Sequence, residues 1–234
     1  MRYELYYWPI QGRGEFARLV LEDAGADYVD VCRTKGGMAR MQRVLAGDGP
    51  LLPFAPPFLR AGKTWLAQSA LVTSYLGEHL GLAPTAEAAR YAARTIMLTI
   101  ADLVGEVHDT HHPIAVDKYY EQQKPAARQR AESFRSKRLP KFLAYLEHHL
   151  DRTGTGVLIG SRVSYVDLAA FHIVEGLTYA FPRALARHRV PKLRALHAKI
   201  AARPRIAAYL DSDRRLPFSE QDIFRRYPEL DATR

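Results

Sequence analysis

The 234-residue chain has a single cysteine, Cys32, so it cannot close an internal disulfide. No apolar run approaches the ~18 residues that a membrane span needs. No charged lead followed by an apolar block and a cleavage site opens the sequence. Together these absences point to a reducing, cytoplasmic setting and give no role to a membrane. Internal repeats and low-complexity tracts are also missing. With 47% hydrophobic residues, disorder is not expected. Positive charge is plentiful: the formal net charge is +9 and the pI is near 9.7. Such a balance attracts anionic ligands and nucleic acid alike. Here Arg and Lys are spread along most of the chain, which reads as a solvated basic surface, so no nucleic-acid partner is expected.

The first third has mixed texture. Residues 2–8 and 28–32 read as strands, with further strands near 57–59 and 64–67 joined by the turn Arg60-Ala61-Gly62-Lys63. Helices fit 15–24, closed by Gly25, and 69–79, closed by Gly81. Residues 33–53 read as irregular with one short helix. Beyond about Ala86 every segment is helical in period, punctuated by Pro125, Pro140, Pro182, Pro191 and Pro204. Helices are expected over 86–112 and 129–151. Ser164 and Asp167 stand at N-cap and N3 spacing before an apolar run, flanked by Val163 and Leu168 at the staple positions.

The junction YYWPIQGRGEFA (6–17) combines the end of the first strand with the start of a helix. Gly12-Arg13-Gly14-Glu15-Phe16-Ala17 formally satisfies a dinucleotide-binding turn, with Asp30 at the end of the next apolar run. Three features weigh against that reading. The chain runs out of strands after four, Pro9-Ile10-Gln11 separate the strand from the first glycine, and Glu15 would repel a pyrophosphate. Strand alternation puts Tyr3, Leu5 and Tyr7 on one face and Glu4, Tyr6 and Trp8 on the other, so Tyr6 and Tyr7 cannot share one role.

A β-α-β unit, a β-β-α unit and then an all-helical region resembles the cytosolic glutathione transferases of the tyrosine type (alpha, mu, pi and sigma-like). The resemblance spans nearly the whole chain. It rests on YWPIQGR, on PFAPPFLRAGKTWLAQS with its proline before the hairpin, on Gln68-Ser69 opening a helix, and on Ser164-x-x-Asp167. It implies a thioredoxin-like α/β domain over 1–82 that binds glutathione. An all-α domain over 83–234 would supply a hydrophobic pocket and dimer contacts.

By resemblance, glutathione is the co-substrate, no metal is needed, and Tyr7 is the catalytic hydroxyl that stabilises the thiolate. Arg13 is implied as polar support, Gln68 and Ser69 as the holders of the γ-glutamyl carboxylate, and Asp102 as a group crossing to the ligand of a second copy in a homodimer. Pro57 matches the family's cis proline. The preceding residue, Pro56, departs from the pattern because it has no N–H. Either one of two ladder-like bonds to glutathione is missing, at about 1 kcal/mol, or the register shifts and Pro56 is the bent residue. A tryptophan and a lysine used by several classes on the glycyl carboxylate also lack counterparts, which leaves Lys35, Arg40 and Arg43 as candidates.

An electrophile pocket is expected from Trp8, Pro9, Ile10, His108 and His112. His108 and His112 are one turn apart, as metal ligands often are, but no second ligand cluster accompanies them. Cys32 is not at the redox position of related cysteine-type enzymes. The implied activity is conjugation of glutathione to an apolar electrophile. Peroxide reduction or isomerisation by the same thiolate, and a non-catalytic ligand-binding role, are the alternatives.

Overall fold

The computed structural model describes residues 2–232. Four strands form one sheet in the order β2-β1-β3-β4. They are β1 (Tyr3–Tyr6), β2 (Tyr28–Asp30), β3 (Phe58–Ala61) and β4 (Thr64–Ala67). β1 runs parallel to β2 and antiparallel to β3, and β3 turns back into β4 with Ala61 opposite Thr64. This mixed topology excludes a doubly wound parallel sheet. Alternation divides β1 as expected: Tyr3 and Leu5 belong to the main core, whereas Tyr6 stacks on Phe58 at 4.6 Å in a second cluster.

Helices cover both faces of the sheet. α1 (Glu15–Ala24) and α3 (Ser69–His79) pack together over the main core. α2 (Gly37–Leu45) places Met41 and Val44 in the second cluster. α1 ends at Gly25, in the left-handed conformation that releases the chain from a helix. The expected second strand stops at Asp30, because Val31–Arg33 turn into a short 3-10 segment.

The rest is helical: α4 (Glu87–Asp109), α5 (Lys124–Ser133), α6 (Leu139–Thr153), α7 (Tyr165–Ala180), α8 (Pro182–Ala186), α9 (Pro191–Ala201) and α10 (Pro204–Leu210). α7 is buried on nearly every side and packs against α1, α4 and α9, as an all-round apolar helix must. Its start carries the capping box. Asp167 accepts from the Ser164 N–H (2.8 Å) and hydroxyl (3.0 Å), and also from the Leu158 N–H (2.7 Å).

The single helix expected over 129–151 is two. α5 begins at Lys124, and Phe134–Arg138 form a π-helical turn before α6. Pro140 is the cause: it has no N–H, and its ring crowds the carbonyl four residues earlier, so the ladder widens there. After α10 the chain continues as a largely irregular tail that returns across the first strand–helix turn.

Candidate active site at the first strand–helix turn

Arg18 shapes the turn from below. Its side chain is fully buried, and its guanidinium donates to the carbonyls of Ile10 (2.8 Å), Gln11 (3.2 Å) and Trp8 (3.3 Å). The same group pairs with Asp30 at 2.7 Å and Glu15 at 3.3 Å. Guanidinium supplies donors in a fixed fork and keeps its charge, so one side chain gathers the whole Trp8–Gln11 segment. Asp30, which in a nucleotide fold would reach a ribose, is committed to Arg18. Burial alone would push the Glu15 carboxyl up, but Arg215 and Arg18 outweigh it and hold the group below the usual range.

Tyr7 follows β1 and is only 4% exposed. Its ring lies on Gly12 and Gly14. A β-carbon at Gly14 would sit 2.4 Å from Tyr7 Cδ1, and one at Gly12 would sit 2.3 Å from the Tyr7 hydroxyl. The G-x-G spacing is therefore a seat for an aromatic ring. The hydroxyl accepts the Arg13 backbone N–H at 2.9 Å, and among the described residues this is its hydrogen bond, which leaves its own proton to donate. Burial pushes its pKa up to about 12, with the Arg13 N–H opposing. The group is thus a neutral donor at physiological pH.

Other sequence candidates are placed as follows. Pro9 is exposed and Ile10 half-buried at the turn. Trp8 packs on the second cluster with Tyr6, as strand alternation predicts. The Pro56–Pro57 peptide is cis. Gln68 precedes α3 with φ 74°, and no side chain caps that helix, so its first N–H groups are free to meet an anion. Ser69 is buried and Asp102 is exposed on α4. Lys35, Arg40 and Arg43 are all exposed. Of these, Arg40 has its charge felt by Tyr6 and Cys32. Burial pushes the Cys32 thiol up to about 11, the opposite of a reactive cysteine.

His108, His111 and His112 form a compact group with ring centroids 4.8–5.2 Å apart. His111 Nε2 is engaged by the Ile223 carbonyl at 2.9 Å and His112 Nδ1 by Gln123 at 3.1 Å. Among the described residues no group of His, Cys, Asp and Glu is arranged to hold a metal ion. His108, drawn down to about 4 by burial and by His112, also senses the charge of Arg13. The tail completes the site. Gln11 donates to the Leu216 carbonyl, Arg215 pairs with Glu15, and Asp222 lies against Gly12.

Residues 108–213 match the family model of the glutathione S-transferase C-terminal domain. The glutathione S-transferase of Plasmodium falciparum is 24% identical, with 88% of this chain and 93% of that protein aligned. Glutathione S-transferase 1 of Ascaris suum is 28% identical over 80% and 85%. Over most of its length the chain is similar to the cytosolic glutathione transferases. The fold agrees: a prostaglandin synthase D structure from Nilaparvata lugens superposes with TM-score 0.74 at 20% identity, covering 93% of this chain and all of that one. The chain therefore has a thioredoxin-like N-terminal region followed by an all-helical one. Within it, sequence reading missed Arg18, Asp222 and the buried His172 of α7, whose Nε2 meets the Gly12 carbonyl at 3.2 Å. Arg18 had one local signal, a lone arginine on the apolar face of α1. Asp222 had none, because its neighbours come from the opposite end of the chain.

Proposed function

We propose that the protein activates glutathione as its thiolate through the Tyr7 hydroxyl and conjugates it to an apolar electrophile. The observation that carries this reading is the uncommitted proton of a neutral, buried tyrosine. A free thiol titrates near ~8.5. A donor aimed at sulfur that lowers this by about two units supplies roughly 2.7 kcal/mol. In this reading residues 1–82 bind glutathione. Gln68 and Ser69 at the start of α3 take the γ-glutamyl carboxylate, and Pro56 and Pro57 lie along the peptide. Arg13 supports the thiol, and one of the exposed Lys35, Arg40 and Arg43 takes the glycyl carboxylate. Residues 83–234 contribute His108 and His112 to the electrophile pocket, with Ile10 and Pro9 from the turn. The protein acts in the cytoplasm as a homodimer. Supporting the dimer, Tyr91, Leu98 and Asp102 are exposed along one stripe of α4, and Leu71, Met97 and Leu98 border a groove of ≈ 360 Å³.

The test is an ultraviolet thiolate difference spectrum of bound glutathione across pH. The bound thiol is expected to titrate about two units below the free one in wild type and near the free value in Tyr7→Phe. Titration at the free value in both proteins would remove the proposal.

A further inference from the structure

Asp222 sits on the tail, 2% exposed, and comes to rest beside Tyr7. Both side chains close over Gly12. A β-carbon there would lie 2.3 Å from the Tyr7 hydroxyl and 3.0 Å from Asp222 Oδ1, so the two oxygens are no further apart than those distances combined. The carboxylate is half satisfied. Oδ1 accepts the Ile223 N–H at 2.6 Å, and the Gly12 N–H also favours the anion. Oδ2 is buried with no hydrogen-bond partner. An acceptor in that state is costly unless a proton or a donor reaches it.

The tail holds this geometry firmly. The Phe224 ring fills the space over Gly176, where a β-carbon would lie 2.4 Å from it. The Ile223 carbonyl is tied to His111, and Arg225 Nε donates to the Asp222 carbonyl at 2.7 Å. The ionisable groups around the carboxylate include Tyr7 after β1, Glu15 and Arg18 on α1, His172 and Tyr179 on α7, and Arg225 on the tail.

We propose that Asp222 accepts the glutathione thiol proton, so that the thiolate forms beside Tyr7 while the proton stays inside the protein. This rests on the reading of Tyr7 given above. The S–H bond breaks, its electron pair remains on sulfur, and the proton bonds to Asp222 Oδ2. Tyr7 keeps its own proton and donates a hydrogen bond to the sulfur. One negative charge moves from carboxylate to thiolate, and the site never holds two. Burial lifts Asp222 to about 6, so it is ionised near neutrality yet more basic than a surface carboxylate. Tyr7, far higher, does not compete for the role.

Proton release decides it. Glutathione and S-methylglutathione, which has no thiol to ionise, are titrated into the protein calorimetrically in buffers of different ionisation enthalpy near neutral pH. The thiolate band is read on the same samples. For wild type we expect a thiolate band with glutathione and nearly equal proton release for the two ligands. In Asp222→Asn, which keeps an acceptor for the Ile223 N–H, release should approach about one proton per thiolate formed. A wild-type difference equal to its thiolate band overturns the role of Asp222 and leaves that of Tyr7 standing. No thiolate band in wild type overturns the role of Tyr7 and the inference with it. Should Asp222→Asn fail to fold, the two-ligand comparison on wild type still decides.

Discussion

Tyr7 depends on what its neighbours lack. Gly14 gives its ring a floor without a β-carbon, and the atom that alanine would add lies 2.4 Å from the ring, well inside contact distance. The ring must then leave its seat, and the hydroxyl goes with it. Gly14→Ala is expected to lose most of the bound thiolate signal while glutathione still raises the melting temperature through its carboxylate contacts. Unchanged thiolate in that variant would show that the seat is dispensable. The position of this residue at the turn was legible because strand alternation and the YWPIQGR motif are both local. Asp222 was not, since nothing within FSEQDIF marks a group that will meet Gly12. Glu15 shows the same limit: it read as a charge hostile to phosphate, and its partner Arg215 lies 200 positions away.

At the scale of elements, the sequence was most informative where side chains act on their own backbone. The start of α7 was readable because Ser164 and Asp167 cap within three residues, and the caps of α1 and α3 were readable from glycine. The break between α5 and α6 was not foreseen, although Pro140 was seen, because apolar periodicity continues through it. Asp167 does more than a capping box requires, since it also satisfies the buried Leu158 N–H. Ser164→Ala should therefore cost about 1 kcal/mol. Asp167→Ala should cost more, about 2–4 kcal/mol, by leaving two buried N–H groups unpaired. Urea denaturation of the two variants measures the difference, and equal losses would count against the Leu158 contact.

For the molecule as a whole, two properties follow. The stripe of Tyr91, Leu98 and Asp102 on α4 predicts that Leu98→Asp converts a wild-type dimer into a monomer by sedimentation, without loss of helix content. A wild type that already sediments as a monomer removes the dimer. Stability should also depend on pH. Burial draws His108 and His172 down to about 4 and His111 to about 2. Below about 6.5 the unfolded chain binds protons that the folded chain refuses, so stability is full above that value and is lost as pH falls towards 4. Asp222, raised to about 6, acts in the opposite sense between roughly 4 and 6, as do Asp30 and Asp167, which burial also raises, but His112 and His149 are drawn down with the other three imidazoles. The melting temperature should drop from pH ~7.5 to pH ~5, with a shallower slope in His172→Gln. An unaltered slope would exclude His172 as a contributor. The tail's contacts with the first turn also set a timetable. At synthesis rates of ~5–20 residues per second, Arg215 emerges roughly 10–40 s after Glu15. Throughout that interval the nascent chain has its tyrosine but neither Arg215 nor Asp222 beside it. The turn made first is finished last, so a truncated translation product that folds its N-terminal domain would still have an incomplete site.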